Sequence, residues 1–301
     1  MLWAALILDA LLGEPEALWR RVPHPAVLMG RMIDALERRW NRPSDPERTR
    51  RARGAAAALA VTAAWAALGA LAAWAPGGWL WQTLGAAVLL AQRSLVDHVR
   101  AVARGLRQGL GPGRSAVAMI VGRDVRALDE AGVARAAIES AAENFSDGVV
   151  APAFWFAVAG LPGMAAYKAL NTADSMIGHR NARFAAFGWA AARADDAANW
   201  IPARLSGVIL CLVGGGLRGA RVMLRDARLH RSPNAGWPEA AMAAALGVSL
   251  SGPRVYDGRL SEEPFVHPEG RAPGAQDVER AADMLWRGWA ALLALALALG
   301  V

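Results

Sequence analysis

A chain of 301 residues that is 55% hydrophobic, with mean hydropathy +0.22, is more apolar than an ordinary soluble domain of mixed structure. Its formal charge of +7 is carried almost wholly by arginine, Lys168 being the single lysine. That charge suits an anionic membrane surface or anionic substrates better than nucleic acid, because the tryptophans sit in or beside apolar runs and do not alternate with arginines. One cysteine, Cys211 in LSGVILCLVGGGL, excludes an internal disulfide and reads as a buried apolar residue, and no Cys/His cluster has zinc spacing.

The first stretch, MLWAALILDALLGEPEALW, lacks a basic prelude and a small-residue cleavage site, so it is expected to stay as a short first helix. Residues 16–53 are polar and arginine-rich, with Pro43 and Pro46 marking a linker. The span 54–75 has no charge and is long enough to cross a bilayer. Pro76-Gly77-Gly78 then turns the chain among Trp74, Trp79 and Trp81, an aromatic belt, and 79–92 returns, giving a transmembrane hairpin over 54–92. Arginine on both flanks puts 16–53 and the helical segment 93–148 in the cytoplasm by the positive-inside rule. Residues 149–166 reach only about 27 Å as a helix and contain Pro152, Gly160 and Pro162, so a broken or re-entrant segment is expected. Residues 205–217 are apolar and end in three glycines. Arg218, Arg221, Arg225 and Arg228 then recur at helical spacing, a stripe suited to anionic headgroups. A helix over 236–250, a Pro/Gly-rich loop over 251–274 and a C-terminal membrane helix over 284–301 complete the chain. The fold class expected is all-α: a polytopic helical membrane protein, one domain over 1–301, with cytoplasmic helical segments and broken or re-entrant helices.

Polar side chains concentrate in four stretches. In the first, PHP at 23–25 presents His24 from a stiff backbone, or simply forms an interfacial turn. In the second, ESAAENFSDGVVAP, helical spacing puts Glu139, Glu143 and Asp147 on one face. Their repulsion makes sense with a cation between them, and such hard ligands suit Mg²⁺; a solvated acidic face is the plainer alternative. The third, residues 167–205, carries Lys168, Asn171, Asp174, His179, Arg180, Asp195, Asp196, Asn199 and Arg204, a mixture suited to metal and phosphate. The fourth, RDARLHRSPNAGWPEAAMAAALG, combines His230 and Asn234 with a turn feeding a helix N-terminus, which is an anion seat or an ordinary capped helix. A P-loop, HExxH and GxSxG are all missing, so no generic catalytic motif selects a reaction.

Taken together, DALLGEPEALWRRVPHPAVLMG, VGRD at 121–124, ESAAENFSDGVVAP, YKALNTADSMIGH, DDAANWIPARLSG and RDARLHRSPNAGWPEAAMAAALG resemble, in order, the signature blocks of the CobD/CbiB family of adenosylcobinamide-phosphate synthases. The resemblance covers about residues 9 to 250. It departs at Glu14, where aspartate is expected, and at His179, where tyrosine is expected. It implies an inner-membrane ligase that consumes ATP with Mg²⁺ and joins adenosylcobyric acid to (R)-1-amino-2-propanol or its O-phosphate, beside membrane lipid and neighbouring corrinoid enzymes. The implied roles are catalysis for His24, Glu139, Glu143, Asp147, Asp174 and His230, with a histidine as base. Glu143, Asp147, Asp174, Asp195 and Asp196 would hold metal. Lys168, Asn171, Arg180, Asn199, Arg204 and Asn234 would hold nucleotide or phosphate. The rival readings are a Mg²⁺-dependent membrane enzyme acting on another phosphorylated substrate, and a transporter or scaffold subunit.

Overall fold

The structure, a computed structural model, describes residues 1–122, 124–256, 259–261 and 263–301. Arg123 of the VGRD block and residues 257, 258 and 262 of the segment expected as a loop lie outside the described residues. In chain order run α1 (Leu2–Leu12), α2 (Glu16–Trp19), α3 (Pro25–Trp40), α4 (Glu47–Trp74), α5 (Gly78–Leu89), α6 (Gln92–Gln108), α7 (Leu110–Val117) and α8 (Glu130–Phe145). A π turn at Ser146–Val150 leads into α9 (Ala151–Ile177), followed by α10 (Trp189–Ala198) and α11 (Trp200–Leu210). A second π turn, Cys211–Gly215, precedes α12 (Gly216–Asp226), α13 (Gly236–Leu246) and α14 (Ala275–Leu299).

The protein is a helical membrane protein with only a few short strands. Among the described residues, four helical stretches are long and apolar enough to cross a bilayer: Glu47–Trp74, Glu130–Ile177, Trp200–Leu229 and Ala275–Leu299. Their outward faces carry large apolar side chains such as Leu59, Leu71, Leu212 and Leu297. At the turn joining α4 to α5, Trp74 is 85% exposed and Trp79 67% exposed, which suits a headgroup layer and would be costly in water.

The chain packs as two compact units. One comprises residues 1–91, 151–199 and 301. Its centre is α4 against α9, with α3, α5 and α10 around them and α1 on α5. Close approach is built into α4: a Cβ at Gly54 would lie 1.8 Å from the Phe187 carbonyl oxygen. Helix α9 is broken at Ala159 (φ −142°, ψ 21°) and Gly160 (φ 62°, ψ −159°), two residues before Pro162. The glycine supplies the left-handed backbone and the proline prevents an unbroken helix from re-forming. The other unit comprises residues 92–150 and 200–300. There α6 packs on α7, α8 and α14, and α13 packs on α8, α11 and α12. Arg100–Asp283 (2.9 Å) and Arg107–Glu279 (3.0 Å) tie α6 to α14.

Several boundaries differ from those the composition suggests. The segment 251–274 is partly paired: Leu250–Ser251 lies antiparallel to Phe265–Val266, and Arg254–Tyr256 to Arg259–Ser261. Such short stretches of pairing are hidden from a composition-based reading by the surrounding Pro and Gly. Helix α14 starts at Ala275 rather than 284, because Asp277 caps it, accepting from the Gly274 N–H at 3.0 Å and pairing with Arg271 and Arg280.

Candidate functional site

The richest cluster forms in the first unit, where α9 and α10 face each other. Asn171 and Asp174 lie on α9, and Asp195, Asp196 and Asn199 lie at the end of α10. Asp195 is buried, and its carboxylate oxygens accept from Asn171 Nδ2 (3.3 Å) and Asn199 Nδ2 (3.0 Å). Asn199 Oδ1 in turn accepts from the Tyr167 hydroxyl at 2.8 Å. Burial, and then the charge of Asp174, push the Asp195 carboxyl up to about 7. Asp174 lies within electrostatic reach of Asp196, His179 and Arg193. Asp196 pairs with Arg193 at 2.6 Å and feels Arg180, yet burial, the largest influence, still raises its carboxyl.

Beside this cluster opens a cavity of about 350 Å³ lined by Gly178, His179, Arg180, Phe184, Ala185, Trp189, Ala192 and Arg193. Its wall is anchored from outside. Arg183 makes a two-pronged contact with buried Glu37 (2.7 and 3.0 Å) that holds that carboxyl below its usual range. Asn41 donates to the Arg183 carbonyl at 2.9 Å, and Arg51 rests on Trp189 at 5.6 Å. Carboxylates thus stand next to two arginines, a histidine and two aromatic rings, a set able to hold a phosphorylated, aromatic ligand. Arg193 and Trp189 belong to this site and were not singled out in the sequence. The signal available was the i, i+3 pairing of Arg193 with Asp196.

His24 is the N-cap of α3, with Pro25 at the first helical position. Its Nδ1 accepts from the Ala26 N–H (3.2 Å), so Nε2 carries the proton and donates to the Val88 carbonyl (3.2 Å). The Trp19 ring meets it edge-on at 4.5 Å, and burial holds the imidazole below its usual range. With both ring nitrogens engaged, His24 is built to fix α3 to α5, and a base role has no open nitrogen to use. Lys168 lies within electrostatic reach of His24.

The remaining sequence-derived residues fall in the second unit. Glu139 is buried and accepts from the Ser251 N–H at 2.6 Å, supporting a residue with φ 57°. Glu143 is exposed, and Asp147 is half-buried in the π turn. Glu139 and Glu143 stand one turn apart on α8, the first buried and the second exposed, and Asp147 follows in the π turn that begins after Phe145. Arg204 lies between the Trp200 and Trp237 rings (4.3 and 4.6 Å) and donates to the Trp200 carbonyl (2.7 Å) and Asn234 Oδ1 (3.1 Å). His230 Nδ1 accepts from the Ser232 N–H (3.0 Å), and its Nε2 is 3.6 Å from buried Glu239.

Among the described residues, no group of three or more His, Cys, Asp or Glu side chains is arranged as a metal cage. Mg²⁺ does not need one, since it commonly binds through one or two carboxylates and substrate phosphates. The crowding of Asp174, Asp195 and Asp196 fits that mode. Asp174 is the best-placed ligand, because it makes no side-chain hydrogen bond among the described residues, whereas Asp195 and Asp196 are already engaged.

Residues 2–285 match the family described as CobD/Cbib protein. A Cobalamin biosynthesis protein CobD of Sinorhizobium sp is 53% identical over 283 residues, covering 89% of this chain and 87% of the relative. Proteins of the same name from Rhodobacter capsulatus (50% identity, 97% of this chain and 94% of the relative) and Brucella suis (48%, 98% and 94%) are similar along nearly their whole length. No solved structure matches the chain. A match across the full set of helices, at about half of all positions, establishes that the chain belongs to the CobD/CbiB family.

Proposed function

We propose that this protein acts in cobalamin biosynthesis as an ATP-dependent amide ligase of the cytoplasmic membrane, joining adenosylcobyric acid to (R)-1-amino-2-propanol or its O-phosphate. The relatives' names support the pathway. The observation that carries the chemistry is the juxtaposition of Asp174, Asp195 and Asp196 with the cavity lined by His179, Arg180, Arg193 and Trp189. In this reading the corrinoid carboxylate attacks the γ-phosphorus of ATP, releasing ADP and leaving an acyl phosphate. The neutral amine attacks the acyl carbon, the C–O bond breaks, phosphate departs and the amine's extra proton passes to a base. Arg180 and Arg193 hold phosphoryl oxygens, bidentately where geometry permits, and Trp189 and Phe184 offer faces for a heteroaromatic ring. Mg²⁺, held by Asp174 and substrate phosphates, would neutralise phosphate charge.

In this reading Asp195, whose carboxyl is raised to about 7 and accepts from Asn171 and Asn199, receives the amine's proton. His24 and Arg204 take positioning roles, as their engaged donors suggest. Glu139 holds the β-paired segment, and Lys168 is kept as a candidate ligand contact in the first unit. The arginine-rich 16–53 stretch argues for a cytoplasmic face, where ATP is supplied.

The test is purified protein in detergent with adenosylcobyric acid, ATP, Mg²⁺ and either amine. The reading expects a corrinoid product whose mass has grown by one amide linkage, only when ATP is present. Folded protein that binds the corrinoid acid yet forms no such product with either amine would overturn it.

A further inference from the structure

The stretch Trp200–Leu229 is long and apolar enough to be counted as one crossing, yet it is not one helix. The π turn at Cys211–Gly215 ends in Gly216 with φ 54° and ψ −150°, so the chain changes course before α12. Helix α12 buries Gly219, Val222, Met223 and Asp226 and packs that face on α13. Its opposite face is uncovered in the unit: Leu217 is 82% exposed and Leu224 62% exposed, with Arg218 and Arg221 exposed among them and Arg228 exposed in the 3-10 turn Ala227–Leu229 that follows. The stripe is not uniform. Arg225 is clamped by Asp226 and by Glu269 (2.9 Å), whereas Arg218, Arg221 and Arg228 make no ion pair among the described residues.

Leucines and unpaired arginines sharing one face fit neither bulk water nor hydrocarbon. In water Leu217 and Leu224 stay solvated at a cost. In hydrocarbon the guanidinium groups lose their hydration. The boundary layer satisfies both: the leucines enter the acyl region while the arginines reach the phosphates. The face also continues a lipid-facing surface, since Leu212, just before the break, is 77% exposed. We propose that α12 and the turn Ala227–Leu229 after it lie along the membrane interface and bind anionic phospholipid through Arg218, Arg221 and Arg228, so that the second half of Trp200–Leu229 is a surface segment and not the remainder of a crossing. This inference is independent of the reaction proposed above.

Two measurements test it on the full chain. In a Cys211→Ser background, a spin label at Leu224→Cys is placed in nanodiscs of zwitterionic lipid, with and without phosphatidylglycerol. Its depth is read from relaxation by oxygen against a water-soluble nickel chelate. The expected result is a label at headgroup depth that sinks further with phosphatidylglycerol. A label at hydrocarbon depth regardless of lipid would overturn the proposal in favour of a continuous crossing. A water-exposed label in both lipids would overturn it in favour of a soluble acidic partner. Separately, native mass spectrometry of detergent-solubilised protein compares retention of phosphatidylglycerol with phosphatidylcholine. Each arginine near an anionic surface is worth roughly a fivefold preference, so the R218Q/R221Q/R228Q variant is expected to lose on the order of a hundredfold. An unchanged preference would overturn the assignment to these three residues.

Discussion

Asp195 sits under two opposing influences. Burial and the neighbouring Asp174 disfavour its charge, while the amide donors of Asn171 and Asn199 favour it, and the balance leaves the carboxyl at about 7. In the unfolded chain it titrates near the ordinary aspartate value, so between roughly pH 4 and 7 the folded state binds more protons than the unfolded one. Stability from this group is therefore fully present below that window and is lost as pH rises through it, by an amount on the order of a few kcal/mol. Thermal unfolding of the detergent-solubilised protein across this range is expected to show the fall, and Asp195→Asn to flatten it. Adding Mg²⁺ with a nucleotide above pH 7 is expected to restore part of the lost stability, because a cation offsets the repulsion. For the reaction itself, Asp174→Ala is expected to reduce ligation at least a hundredfold while the protein still extracts as a folded species; near-wild-type turnover would remove Asp174 from the site. Arg204→Lys keeps the charge but loses the planar fork between Trp200 and Trp237, and is expected to cost about 1–2 kcal/mol in unfolding experiments.

At the scale of elements, the first unit depends on α4 passing very close to the segment that walls the cavity. Gly54→Ala places a methyl against the Phe187 carbonyl, which is backbone and cannot swing away. The expected loss is about 3 kcal/mol or more, read as a collapse in the yield of monodisperse protein on size exclusion. The break in α9 matters in a different way. Gly160 holds a left-handed backbone conformation, and its position splits a segment that the sequence already marks as too short for a straight crossing. That break was legible from Pro152, Gly160 and Pro162. The π turn after Phe145 was not, because SDGVV carries no breaker except Gly148, and the choice between α and π depends on packing around it.

For the whole molecule, the exposed tryptophans around the α4–α5 turn and the arginine-rich segment before α4 make opposite ends of a crossing chemically distinct. Cysteines introduced one at a time at Pro76 and Ser44, with Cys211→Ser, are expected to react with an impermeant reagent from opposite sides of the membrane, Ser44 from the cytoplasmic side. Reaction of both from one side would remove α4 as a crossing.

Composition and residue order were enough for the helical membrane architecture and the family, because these rest on long apolar runs, glycine and proline punctuation and six blocks in fixed order; the return arm of the expected hairpin, α5, has only 12 residues and is not among the four described stretches long and apolar enough to cross. They were also enough to gather Asn171, Asp174, Asp195, Asp196 and Asn199, whose helical spacings survive in the fold. Tertiary structure alone decided what each polar residue is free to do. His24 spends both nitrogens on backbone groups, Glu139 supports Ser251, Arg204 is enclosed by two indoles, and Arg193 and Trp189 join a cavity whose wall is fixed by Glu37 and Arg51. The physical reason is range. Hydropathy and helical period act over a few neighbouring residues, whereas a hydrogen bond such as Glu139 to Ser251 spans 112 positions and exists only once both ends are folded.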